Sequence, residues 1–151
     1  MTEPHLLYDV ENNVARLTIN REAQRNAISL EAIDLFSKCL DEAETDEKVR
    51  VILITGSGDK AFCAGADLGG AVDGKIQQGF KSYAKLITRL SSYPKPVVAR
   101  INGACMAGGM GLMLACDIVI ARNDVTFGTP EVNVGLWPMM IGALIYRNVL
   151  R

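Results

Sequence analysis

Apolar and polar residues alternate along Val14-Ala15-Arg16-Leu17-Thr18-Ile19, the period of a half-buried strand. Leu6-Leu7-Tyr8 upstream is its expected hairpin partner, with Glu11-Asn12-Asn13 as the turn. The period then changes. Ile33, Phe36, Leu40 and Ala43 fall on one helical face, and Ser29 stands where a cap belongs, predicting a helix from Ser29 to about Glu44. Val49 to Thr55 is a nearly continuous apolar run closed by Gly56-Ser57-Gly58, which suits a strand buried on both faces. Phe80 to Ser92 has helical spacing and ends at Pro94 and Pro96. Val97 to Ile101 is the next buried strand, Ala107 to Ala115 a glycine-rich helix, and Ile118 to Ala121 a further strand. This alternation of strands and helices predicts an α/β layer structure.

Two segments stand apart. Residues Ala64 to Gly79 contain five glycines and few apolar anchors, and are expected to form a mobile loop. At the other end, Ile141, Leu144, Ile145 and Val149 share a helical face, yet the chain stops at Arg151 without a cap, the pattern of a helix cut short.

Composition narrows the function. The 151 residues suffice for one domain with its own core, and 49% hydrophobic with 22% charged residues is a globular balance. Net charge is −1 with no basic stripe, which argues against a nucleic-acid partner. The longest apolar stretch, Gly103 to Ile120, is broken by Asp117 and four glycines, so no membrane span is expected. The N-terminus lacks the basic-then-apolar pattern of a secretory leader. Cys39, Cys63, Cys105 and Cys116 fit no zinc spacing, and are expected to be reduced core thiols of a cytoplasmic protein. His5, the only histidine, lies in the N-terminal tail, which argues against a serine or cysteine triad.

The candidate chemistry lies in two glycine-rich turns. Ala61-Phe62-Cys63-Ala64-Gly65-Ala66-Asp67-Leu68 and Asn102-Gly103-Ala104-Cys105-Met106-Ala107-Gly108-Gly109 each follow a buried strand. Turns after parallel strands share one sheet edge, so both can aim backbone N–H groups into one space. Small residues let a ligand approach the backbone, and a helix opening at Gly108-Gly109 favours developing negative charge. These are the parts of an oxyanion hole. Glycines that merely allow tight packing would look the same. Gly56-Ser57-Gly58-Asp59-Lys60-Ala61 has the spacing of a dinucleotide fingerprint, but no helix is expected directly after it.

Arg25-Asn26-Ala27, the first glycine turn, Asn102-Gly103 leading to Ala107-Gly108-Gly109, Ala115-Cys116-Asp117, and Phe127-Gly128 with Pro130-Glu131 and Gly135 together resemble the enoyl-CoA hydratase/isomerase (crotonase) family. The resemblance implies a crotonase-like spiral of ββα units formed by residues 1–151, with a C-terminal helical part missing. It implies an oxyanion hole from the Ala66 and Gly108 amides, with Glu131 as the catalytic base. Arg25, Asn26, Ala27, Ala64, Gly65, Ala66, Asp67, Leu68, Gly109 and Trp137 would line the substrate site. Coenzyme A would be part of the substrate, with no metal or separate cofactor. The full-length protein would be a homo-oligomer, a trimer or hexamer. Hydratases of the family use two glutamates. The first maps to Gly111 and the second to Glu131, so double-bond isomerisation, which needs one base, is favoured. A hydratase with a substitute acid, or a truncated non-catalytic acyl-CoA-binding fragment, remain alternatives. Asp67 and Asp117 are expected to be structural, as helix caps. Met106, Met110, Met113, Trp137, Met139 and Met140 form an apolar set that suits an acyl pocket or ordinary core.

Overall fold

Strand β1 (Leu6–Glu11) turns through Asn12 and Asn13 into β2 (Val14–Ile19). Both asparagines have positive φ, 51° and 65°, the two-residue hairpin geometry that matches strand twist. The computed structural model describes residues 3–67, 75–135 and 137–149. Helix α1 (Leu30–Thr45) is capped by Ser29, whose hydroxyl accepts from the Ala32 N–H at 3.1 Å. Its expected face is buried: Ile33, Phe36, Leu40 and Ala43 are at most 6% exposed.

The chain then repeats one plan. Strand β3 (Val51–Gly56) is followed by the short β4 (Ala61–Cys63) and helix α2 (Lys75–Ser91). Strand β5 (Val97–Ile101) is followed by the short β6 (Ala104–Met106) and helix α3 (Gly108–Leu114). Strand β7 (Ile118–Ala121) is followed by the two-residue β8 (Phe127–Gly128), the turn Pro130–Val134 and helix α4 (Met139–Asn148). The long strands form one sheet in the order β1-β2-β3-β5-β7, parallel from β2 onward. The short strands form a second, parallel sheet, β4-β6-β8. Each ββα unit thus gives one strand to each sheet, and the fold is a spiral of such units.

The second sheet corrects the sequence reading, which took Ala61–Leu68 and Asn102–Gly109 only as glycine-rich turns. Strands of two or three residues are too short to show a period. Helix α2 begins at Lys75, earlier than the expected Phe80, and Gly79 lies within it. There a side chain would crowd Leu30, since a Cβ on Gly79 would lie 3.2 Å from the Leu30 Cδ2. The rest of the expected mobile loop, residues 68–74, lies outside the described residues. Strand β3 is buried fully on one face (Ile52, Ile54) and half-buried at Val51 and Leu53. Strand β7 is an edge strand with Ile118, Val119 and Ile120 exposed. In α4, Ile141 is buried within the chain and Tyr146 is exposed, as is Val149 just beyond the helix.

Candidate functional site

Two buried asparagines shape the ground on which the glycine turns stand. Asn26 accepts from the Arg21 N–H (3.0 Å) and the Ser57 hydroxyl (3.1 Å), and donates to the carbonyls of Ser57 (2.9 Å) and Ala61 (2.7 Å). Asn102 accepts from the Gly56 N–H (2.9 Å) and donates to the carbonyls of Gly58 (2.9 Å) and Ala61 (3.2 Å). Together they fold residues 56–61 into a compact link between β3 and β4. The glycine fingerprint there therefore leads into a strand, not a helix, and offers no dinucleotide site. Asn26 has no side-chain group left for a ligand.

The first turn is fastened to the segment before α1. The Ala64 N–H donates to the Arg25 carbonyl (3.1 Å), the Ile28 N–H to the Gly65 carbonyl (2.8 Å), and the Asp67 N–H to the Ile28 carbonyl (2.8 Å). Arg21, which the sequence reading passed over, closes the junction. It donates to the Ala27 carbonyl (2.7 Å) and pairs with Asp67 at 2.7 Å. Asp67 is thus engaged by an ion pair with Arg21. Asp117 likewise accepts from the Val97 N–H (2.8 Å) instead of capping a helix. Arg25 is exposed and has φ 51°.

The second turn pivots on Ala107, at φ 49° and ψ −123°, a conformation that non-glycine residues rarely adopt. Its N–H donates to the Gly128 carbonyl (2.9 Å), which ties it to β8. The two turns touch. A Cβ on Gly65 would lie 2.9 Å from the Ala107 Cβ and 3.4 Å from the Gly108 N; one on Gly108 would lie 3.6 Å from the Ala66 N. Gly65 has φ 108°, so glycine is required there on both counts. Gly109 is pressed against the Cys63 backbone. Among the described residues, neither the Ala66 nor the Gly108 amide donates to a protein acceptor. Gly108 is moreover the first residue of α3, where amides lack a partner in their own helix.

Glu131 follows β8 in the turn Pro130–Val134. Its Oε2 is buried and has no hydrogen-bond partner among the described residues, an unusual state for a carboxylate oxygen. Trp137 is exposed, with its Nε1 near Gly142, and Met139 is 78% exposed, so neither lies in an enclosed pocket. Met140 lines a groove of about 430 Å³ between α2 and α4, together with Tyr83, Ile87, Leu144 and Arg147. Leu68 lies outside the described residues. The four cysteines are free thiols. Burial pushes Cys63 and Cys116 up to about 12, and raises Cys105 as well. Among the described residues, no group of acidic, histidine or cysteine side chains could hold a metal ion, and no helix is long and apolar enough to cross a membrane.

The family model for enoyl-CoA hydratase/isomerase matches residues 9–150. The chain belongs to the enoyl-CoA hydratase/isomerase family. A short-chain-enoyl-CoA hydratase of Clostridium acetobutylicum is 34% identical over 137 residues, 89% of this chain and 52% of that protein. A peroxisomal Δ(3,5)-Δ(2,4)-dienoyl-CoA isomerase of Arabidopsis thaliana is 33% identical, over 85% of this chain and 51% of that protein. The crystal structure of a family member from Xanthobacter autotrophicus superposes with a TM-score of 0.81 at 32% identity, covering 89% of this chain and 52% of that one. The chain spans about half the length of the curated relatives it matches. The crotonase fold expected from the motifs is the fold found.

Proposed function

We infer that this chain supplies the thioester-binding core of an acyl-CoA enzyme, and that the reaction is a double-bond shift in an enoyl-CoA. The observation that carries the choice is at position 111, where the family resemblance puts a hydratase's first glutamate. The residue is glycine, and a Cβ there would lie 2.5 Å from the Tyr83 hydroxyl and 2.6 Å from a methyl of Ile141. The space of a first carboxylate is filled from two other elements.

In this reading the thioester oxygen takes hydrogen bonds from the Ala66 and Gly108 amides. Glu131, with its unpartnered carboxylate oxygen, removes a proton from the carbon beside the thioester carbonyl, or from the carbon beyond the double bond. The electron pair delocalises onto the thioester oxygen as an enolate, where the amides stabilise it. Glu131 then returns the proton to the other carbon, and the double bond has moved. No water enters the product. Asp67, the other carboxylate near the first turn, is already engaged by Arg21 at 2.7 Å.

The test uses the full-length protein with a 3-enoyl-CoA and a 2-enoyl-CoA in parallel. Isomerisation without hydration is the expected outcome, and efficient hydration would overturn the one-base reading. Glu131→Gln should lower kcat by roughly a thousandfold while leaving KM within a few-fold, because the lost group acts in the transition state. Full activity in Glu131→Gln would remove the residue from the mechanism. Tight acyl-CoA binding with no turnover of either ester would favour a binding protein instead.

A further inference from the structure

Tyr83 occupies a position that its sequence pattern does not disclose. It lies on the apolar stripe of α2 with Leu86, Ile87 and Leu90, and is 7% exposed. Its hydroxyl leaves that stripe and enters the first turn of α3. There it donates to the Gly108 carbonyl. The same oxygen is 3.6 Å from the point where a Cβ on Gly108 would lie, and the Ala66 N is 3.6 Å from that point too.

The Gly108 N–H belongs to the peptide that joins Ala107 to Gly108. The carbonyl of this peptide, on Ala107, accepts from the Met110 N–H at 2.9 Å, but Ala107 is in a sparsely populated conformation and Gly108 is the residue type with the widest backbone freedom, so further restraint on either side matters. Two bonds flank it. On one side the Ala107 N–H is held by the Gly128 carbonyl; on the other the Gly108 carbonyl is held by Tyr83. We propose that Tyr83 is a positioning residue for the reaction: by holding the Gly108 carbonyl, its hydroxyl restrains Gly108 from the far side, so that the N–H stays pointed at the thioester oxygen. This deepens the function proposed above and rests on it. Burial holds the phenol well above its ordinary range, so it remains a protonated donor throughout neutral and mildly alkaline pH.

The experiment measures the carbonyl stretch of a ¹³C-carbonyl-labelled saturated thioester, hexanoyl-CoA, bound to the full-length protein, alongside kcat and KM for the 3-enoyl-CoA. In the wild-type protein the stretch should move to lower frequency than in solution, as two aimed donors polarise the bond. Tyr83→Phe keeps the ring and removes one oxygen. It should lose a large part of that shift and lower kcat roughly tenfold, less than deletion of an oxyanion donor, with KM little changed. Gly111→Ala approaches the hydroxyl from the other side and leaves it present but displaced. It should reproduce the loss in an otherwise native Tyr83 background, and cost less when Phe already occupies position 83. If Tyr83→Phe does not fold, Gly111→Ala alone decides by the same two readings. A wild-type shift kept in full by either folded variant, with unchanged kcat, overturns the role of Tyr83 and leaves the oxyanion hole standing. Bound thioester with no shift in the wild-type protein overturns the oxyanion hole, and the role of Tyr83 with it.

Discussion

Asn26 has φ 56°, is fully buried, and uses both lone-pair directions and both amide hydrogens of its side chain. Asparagine tolerates the left-handed region better than most residues, and its four bonds join the segment before α1 to the β3–β4 link. Replacing it with leucine keeps the branched shape but leaves the Arg21 N–H and the Ser57 carbonyl short of a partner, and the Ala61 carbonyl with Asn102 alone. Asn26→Leu should therefore cost about 3 kcal/mol or more, seen as a lower urea midpoint. Ser57→Ala, which removes one bond at a partly exposed site, should cost roughly 1 kcal/mol on the same measure. Neither asparagine's role is visible in sequence, because a buried amide hub depends on partners far along the chain, such as Asn26 with Ala61 and Asn102 with Gly56.

At the scale of elements, helix α1 is stabilised by local chemistry and the glycine turns by contact. Ser29→Ala should cost about 1 kcal/mol by removing the cap on the Ala32 amide, with little change in acyl-CoA binding. Gly65→Ala should act in the opposite proportion. Its positive φ and the close Ala107 Cβ mean that a methyl drives the two turns apart. Acyl-CoA affinity, followed by calorimetry on the full-length protein, should fall at least tenfold. Affinity equal to wild type would show that the two turns do not share a ligand. The short strands β4, β6 and β8 hold these turns in register, with Cys63 opposite Cys105 and Met106 opposite Gly128.

Across the whole molecule, several neutral acids are buried in the core or against it. Cys63, Cys116 and Tyr93 are pushed up to about 12 by burial, from ordinary values of 9.0, 9.0 and 10.0. In the unfolded chain these groups ionise at their ordinary values, while the folded protein still holds the protons. Stability is thus fully present below about pH 9 and lost as pH rises from there towards 12. The slope is at most about 1.4 kcal/mol per pH unit for each such group. Urea midpoints taken from pH 8 to pH 11 should fall steadily, and a flat profile would contradict the burial of these thiols. At pH 8 the half-buried Cys39 should react with an alkylating reagent well before Cys63, which is fully buried and more strongly shifted.

Elements whose cause is local are legible in residue order alone. The period-2 run at Val14–Ile19, the Ser29 cap with its helical stripe, and the Val97–Ile101 strand all lie where periodicity and capping put them. The motifs also sufficed for the family, since each glycine and asparagine stands in a fixed order along the chain. Features that depend on distant segments meeting are set by the packed fold. The second sheet exists only because three short strands from separate ββα units pair with one another. Arg21 became the partner of Asp67 only when the β2–α1 connection met the first turn. Tyr83 looked like one more apolar position on α2, because a hydrophobic period reports which face is buried and not which atom a hydroxyl at its end will reach.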